Sequence, residues 1–172
     1  MVPTILIKPF RQLSEVEKKG VFDFLYTIFG ESYNEMVWPT DDWVTQAYLQ
    51  DQLVTLVEII ERTVRVGDLD VKVGGVGGVG TLPEYRRRGY ASLALKETGR
   101  FLHENLKVSF GLLLTNEKLE PFYRNLGWRR IIAPVAFDQP GVKISANGVT
   151  MFLPCAEETW PPGPVDLCGY PW

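Results

Sequence analysis

Val79-Gly80-Thr81-Leu82-Pro83-Glu84-Tyr85-Arg86-Arg87-Arg88-Gly89-Tyr90-Ala91-Ser92 is the stretch on which the reading of the fold turns. Upstream runs a strand-like segment, Leu69 to Leu82. Downstream, Gly89 to Leu106 puts Ala94, Thr98, Phe101 and Leu102 on one helical side. The stretch joins strand to helix through three consecutive cations and a glycine. Backbone N–H groups at a helix N-terminus point outward unsatisfied, and with the helix dipole they form an anion site. Cations placed there oppose the dipole unless an anion lies between them. A solvated basic turn is the plainer alternative. The whole chain, however, carries 18 basic against 21 acidic residues, for a net charge of −3. A local reversal of that sign is best explained by a polyphosphate ligand.

The glycines just before it, Gly75, Gly77 and Gly80, spell a G-x-G-x-x-G. A dinucleotide-binding turn must open a helix directly, and here Pro83 and a charged segment intervene. No Lys-Ser or Lys-Thr follows, so a P-loop is excluded as well. Glycines inside a strand mark a bulge or a close approach of backbone to a ligand.

Outward from this centre the order is mixed. Thr4 to Phe10 reads as a strand, and Ser14 with Glu17 as a capping box opening a helix that Gly30 ends. Glu31 to Asp42 is irregular and faces a cleft. Trp43–Leu49, Leu53–Val66 and Leu69–Leu82 form an antiparallel meander. After the helix come a strand at Val108–Leu114, a short helix at Leu119–Leu126, and strands at Trp128–Phe137 and Val149–Leu153. A hairpin-like loop near Asn147-Gly148 separates these last two. The fold class is α/β (α+β), a mixed and mostly antiparallel sheet flanked by helices.

The 172 residues are expected to form one domain, 1–172, with 155–172 as a C-terminal coil. The acidic balance argues against nucleic acid, which demands a broad basic face. Cys155, Cys168 and the lone His103 match no paired ligand spacing, so no metal is expected. Two reduced thiols are favoured over a Cys155–Cys168 disulfide. With no apolar run long enough for a membrane span and no visible signal peptide, the expected location is cytoplasmic.

The chain resembles the GNAT superfamily of N-acetyltransferases. Arg86, Gly89 and Ala91 fit that family's pyrophosphate loop, Arg/Gln-x-x-Gly-x-Gly/Ala. A second piece, Asn116-Glu117-Lys118-Leu119-Glu120-Pro121-Phe122-Tyr123-Arg124-Asn125-Leu126-Gly127-Trp128, is similar to the family's next βα unit. The resemblance implies a central sheet with splayed strands and acetyl-CoA lying in the gap between the 76–82 and 108–114 strands. It implies that Val79, Gly80 and Thr81 bond the acetyl and pantetheine groups. Arg86, Arg87, Arg88, Gly89, Tyr90, Ala91 and Ser92 would hold the pyrophosphate, and Asn116 would reach the pantetheine arm. Tyr123 matches the family's general acid.

Many relatives place a carboxylate base on the central strand, but the corresponding stretch here is all Gly and Val. Glu35, Asp41, Asp42 or the terminal carboxylate of Trp172 would serve as base or bind the substrate ammonium, with Trp38 beside them. The run Gly148 to Leu153 and the coil after it are similar to aminoglycoside 2'-N-acetyltransferases. Acidic acceptor positions of that group fall on Ser32, Val37 and Gly77, so Tyr33, Trp38 and Trp43 would line a less charged pocket. The implied acceptor is a small-molecule amine, with no nucleic-acid or membrane partner and a homodimer allowed. Two alternatives stand beside it: a peptide or protein amine acceptor, and a non-catalytic acyl-CoA sensor.

Overall fold

The meander between Trp43 and Thr81 carries the architecture in the computed structural model, which describes residues 1–172. Its strands are β2 (Trp43–Leu49), β3 (Gln52–Val66) and β4 (Leu69–Thr81), preceded by β1 (Thr4–Pro9) on the outer edge of β2. At 15 residues, β3 is long enough to serve two neighbours along one edge. Gln52 to Ile59 pair with β2, while Arg65 and Val66 pair with β10 (Val165–Asp166) from the tail. β5 (Phe110–Thr115) lies parallel to β4, and β9 (Val149–Pro154) and β6 (Arg129–Ile131) extend the sheet beyond it. On the other branch β10 leads to the hairpin of β7 (Val135–Gln139) and β8 (Val142–Ser145). The result is an α+β fold built on a mixed, mostly antiparallel sheet of ten strands.

Three helices flank it. In α1 (Glu15–Phe29) the amide of Glu17 donates to Ser14 Oγ at 3.2 Å and the Ser14 amide donates back to Glu17 at 2.8 Å. That is the reciprocal cap foreseen from Ser14 and Glu17, and it satisfies two otherwise unpaired donors. Val21 and Leu25 of α1 pack with Phe10 and Leu56 against one face of the sheet. On the opposite face, α2 (Tyr90–Glu104) buries Ala94, Leu95 and Leu102 against Val57, Val76 and Trp128. The short α3 (Glu120–Arg124) is capped at Asn125, and Gly127 in the turn beyond it has a φ of 91°, which suits glycine.

β4 and β5 pair over only three positions, Val73–Phe110, Gly74–Gly111 and Gly75–Leu112, and then diverge. At the vertex sits Trp172, which is buried and donates its indole N–H to the Leu112 carbonyl at 3.0 Å. Arg62 holds the tail there by donating to the Tyr170 carbonyl at 2.6 Å, with its guanidinium 5.1 Å from the Trp172 ring centre. The glycine run of β4 matches these neighbours. A β-carbon on Gly75 would overlap the Trp172 indole, one on Gly77 the Trp172 backbone, and one on Gly74 the Leu102 side chain.

Three expectations are corrected. Trp128–Phe137 is not one strand, because Ile132–Pro134 breaks it and the two halves pair with different partners, β6 with β9 and β7 with β8 and β10. The hairpin turn falls at Pro140-Gly141, where Gly141 has φ 74°, rather than at Asn147-Gly148. The tail is not coil throughout, since β10 inserts between β3 and β7.

Gly75→Ala should destabilise the fold by about 1–3 kcal/mol through overpacking. The penalty should shrink by more than about 1 kcal/mol when Trp172→Ala is also present. Urea unfolding of the two single variants and the double variant measures this coupling. Equal penalties in both backgrounds would show that Trp172 is not what requires the glycine.

Candidate active site

The anion loop is built by two residues with positive φ, Arg87 (60°) and Gly89 (83°), which turn the chain sharply into α2. Gly89 is the N-cap and offers no side-chain cap. None of the six amides from Arg87 to Ser92 donates to a group within the chain, the first bond being Leu93 N–H to the Gly89 carbonyl. These amides border a cavity of about 460 Å³, whose walls include Val79, Thr81, Arg86, Phe122 and Tyr123 and no acidic residue. Free amides, a helix N-terminus and cations suit the phosphates of acetyl-CoA.

Arg86 is braced by its Nε donating to the Thr81 carbonyl at 3.0 Å. Arg88 turns to the other side, 5.5 Å over the Tyr85 ring, and lines a neighbouring surface groove with Gln50 and Gln52. Asn116 borders the next cavity along. Its side-chain oxygen accepts from the amides of Lys118 and Leu119 at 3.0 and 3.1 Å, which leaves its NH2 as the group able to meet a ligand.

That next cavity, about 380 Å³, shares Val79, Leu119 and Tyr123 with the first. Tyr123 is buried, and burial pushes its phenol up to about 12, so the hydroxyl stays protonated. Within the chain that hydroxyl makes no hydrogen bond. Facing the same space is Glu58 of β3, only 8% exposed. It is positioned by a bulge, since Leu56 pairs with Gly80 but Glu58 with Gly77, giving β4 one residue extra. Gly78 sits in that bulge with φ 54°, and a β-carbon there would collide with the Glu58 carboxylate. The glycine thus accommodates an acid on the adjacent strand.

Asp41 reaches Glu58 from behind, and the two carboxyls share a hydrogen bond. Such a bond needs a proton on one oxygen. Desolvation raises both groups, and the charge of Glu58 raises Asp41 further, so the pair retains a proton between its two carboxyls. The phenol of Tyr33 is raised by burial and then by the same two carboxyls, which places it in their field.

Of the other acceptor residues foreseen, Trp38 and Trp172 border the cavity with Glu58. Trp38 donates its indole N–H to the Tyr33 carbonyl at 2.6 Å and stacks on the Tyr33 ring at 5.6 Å. Glu35 stands apart, exposed at the end of the 3-10 turn Gly30–Glu35 and lining none of these cavities. Asp42 is engaged in the scaffold, its carboxylate accepting from the Glu61 amide at 2.7 Å. Glu58 was missed from sequence. Its signal was a lone acid inside Leu56-Val57-Glu58-Ile59-Ile60, a run otherwise fit for full burial.

The comparisons agree with this geometry. A family model described as an acetyltransferase (GNAT) domain matches residues 9–131. YhbS of Escherichia coli, a GNAT family N-acetyltransferase solved in complex with CoA, superposes with a TM-score of 0.69 at 15% identity, over 98% of this chain and 91% of that one. Escherichia coli ElaA gives 0.66 at 14% identity, over 88% and 99%. A probable N-acyltransferase of unknown function from Enterococcus faecalis V583 gives 0.56 at 25% identity, over 73% of this chain and 32% of that chain. The splayed strands, the uncapped loop before α2 and the family match over most of the chain converge, and the protein belongs to the GNAT acetyltransferase family.

Proposed function

We propose that the protein transfers an acetyl group from acetyl-CoA to the primary amine of a small molecule, by direct attack with both substrates bound. The observation that carries this reading is the placement of Glu58 and Tyr123 on one cavity that adjoins the anion loop. The CoA held by the Escherichia coli neighbour supports the same donor here.

Acetyl-CoA supplies an activated thioester. The amides of Arg87–Ser92 and the cations beside them bind its phosphates, and Val79 to Thr81 orient the acyl end toward the second cavity. Glu58 takes the proton from the substrate ammonium and so frees the lone pair for attack. As the C–N bond forms and the C–S bond breaks, the Tyr123 hydroxyl gives its proton to the departing sulfur, and the second proton lost by the nitrogen passes through solvent to restore the phenol. The proton on Asp41 stays in place, so the pair starts with a single negative charge and becomes neutral when Glu58 acts as the base, with Asp41 positioning it.

A small acceptor is favoured over a peptide by how the cavity is bounded. Val37 and Gln139 form a two-way clasp, amide to side chain at 2.9 Å and side chain to carbonyl at 3.0 Å, tying the 36–42 loop to β7 beside Trp38. A non-catalytic sensor loses its motive, because β3 supplies the carboxylate that β4 lacks. An aminoglycoside acceptor needs several acidic residues, and Glu58 is the one acidic side chain lining this cavity.

Thiol release with an amine panel tests the reading, alongside calorimetric titration with acetyl-CoA. Arg86→Ala/Arg87→Ala should weaken acetyl-CoA binding at least about tenfold, as expected for loss of charge-assisted hydrogen bonds. Binding unaffected by that change would move the phosphates elsewhere. Tyr123→Phe should lower kcat about 100-fold at unchanged acetyl-CoA affinity. Wild-type kcat/KM should rise with pH as Glu58 deprotonates, and Glu58→Gln should remove that limb with a loss of about 100-fold or more.

The carboxyl pair also sets a stability dependence. Both groups hold protons in the fold above their ordinary values of 3.8 and 4.5, so the native state binds more protons than the unfolded chain. Stability should therefore fall as pH rises above about 4, and Asp41→Asn should make that fall shallower in denaturant titrations between pH 5 and 9. A slope unchanged in the variant would remove Asp41 from the pair.

A further inference from the structure

The amine cavity does not end at Trp172. A second space of about 270 Å³ shares Met36, Trp38, Leu114, Thr115 and Trp172 with it and runs on toward Phe137 and Ala146. Glu58 is the single charged side chain among all those lining the two spaces, and the carboxylate of Trp172 stands at the same end, its main-chain carbon against Gly77. Phe29, Tyr33 and Trp38 form a continuous stack along one side, with ring centres 6.3 and 5.6 Å apart and planes within 25° and 15°. Leu114 and Trp172 also line the space.

We infer that the acceptor is a hydrophobic primary monoamine, its ammonium at Glu58 and its aliphatic or aryl body lying along the Tyr33–Trp38 stack into the space before Phe137 and Ala146. This rests on the acetyl-transfer reading above and adds the substrate class. The electrostatic reasoning is short. Glu58 beside a protonated Asp41, with the Trp172 carboxylate, gathers the negative charge at one end of the space and holds an ammonium there, while Phe137, Ala146 and Val149 of the extension carry none. A second ammonium carried into the extension would be desolvated with no counter-charge, which is costly. A carboxylate next to the amine, as in a free amino acid, would face Glu58 with no lining cation to offset it. The apolar walls, by contrast, reward every methylene they cover.

The test is a series of linear alkylamines from propylamine to octylamine, with 4-phenylbutylamine, 1,8-diaminooctane, spermidine, kanamycin and phenylalanine, assayed by thiol release with acetyl-CoA. kcat/KM should rise about three- to fourfold per methylene until the extension is filled. 1,8-Diaminooctane should fall at least about tenfold below octylamine. Ala146→Phe should shift the optimum to shorter amines, with acetyl-CoA titration as the check that the variant is folded. Spermidine, kanamycin or phenylalanine outrunning octylamine would overturn the inference while leaving acetyl transfer intact, and so would a flat length series. If no amine releases thiol, calorimetric binding of the same amines decides. Octylamine bound and spermidine not bound would uphold the pocket and overturn acetyl transfer. Failure of octylamine to bind would overturn the inference.

Discussion

Everything at the site depends on β4 and β5 parting after Gly75 and Leu112, and on an indole standing where they part. Parallel strands that continued in register would close the gap with hydrogen bonds and leave no channel. Here the Leu112 carbonyl, which would otherwise seek a partner across the gap, accepts from Trp172 at 3.0 Å. A buried carbonyl left unpaired would cost about 1–3 kcal/mol, so the indole both fills the vertex and satisfies the backbone it exposes. Gly75 and Gly77 make room for it, and Arg62 fixes the tail by its carbonyl bond and its position over the ring. The two cavities proposed for the donor and the amine share Val79, Leu119 and Tyr123.

Charge is divided along that channel in a way that matches the two ends of the reaction. At one end are free amides and arginines with no acid among them, suited to phosphate. At the other, the carboxyls of Glu58 and Asp41 share a hydrogen bond that needs a proton on one of them. The sharing matters for chemistry. Two ionised carboxylates at this depth would repel and destabilise each other, while a fully protonated pair could take nothing from an ammonium. Tyr123, raised by burial alone, stays a proton donor at the junction of the two spaces. Opposite tasks are thus set by different environments for different groups.

The legibility of these parts follows how local each one is. The anion loop could be read from sequence because its chemistry belongs to a contiguous segment. Three arginines, a glycine and a helix start are enough to specify outward-pointing amides. Tyr123 was legible through the short unit Asn116–Trp128 for the same reason. Glu58 was not, because its role depends on register. Only the one-residue bulge in β4, with Gly78 at positive φ, brings its carboxylate onto the cavity. The β4 glycines were read as a bulge or as room for a ligand; Gly78 forms a bulge, while Gly74, Gly75 and Gly77 admit Leu102 and Trp172. β10 was invisible for a related reason. A two-residue strand has no periodicity to detect, and its pairing with β3 and β7 is set by the tertiary fold.

The same contrast bears on how two proteins can share this fold at 14–15% identity. The donor half is concentrated in residues 79–92 with Tyr123, so a short stretch can keep its geometry while the remainder drifts. The amine half is assembled from the 29–41 segment, one residue of β3, the end of β5, the β7–β9 region and the tail. No two of these constrain each other through local geometry, and each can change a wall without disturbing the loop that holds the phosphates. Acceptor choice is therefore carried by the part of the fold least visible to motif reading. It has to be argued from packing, burial and the count of charges that face the amine.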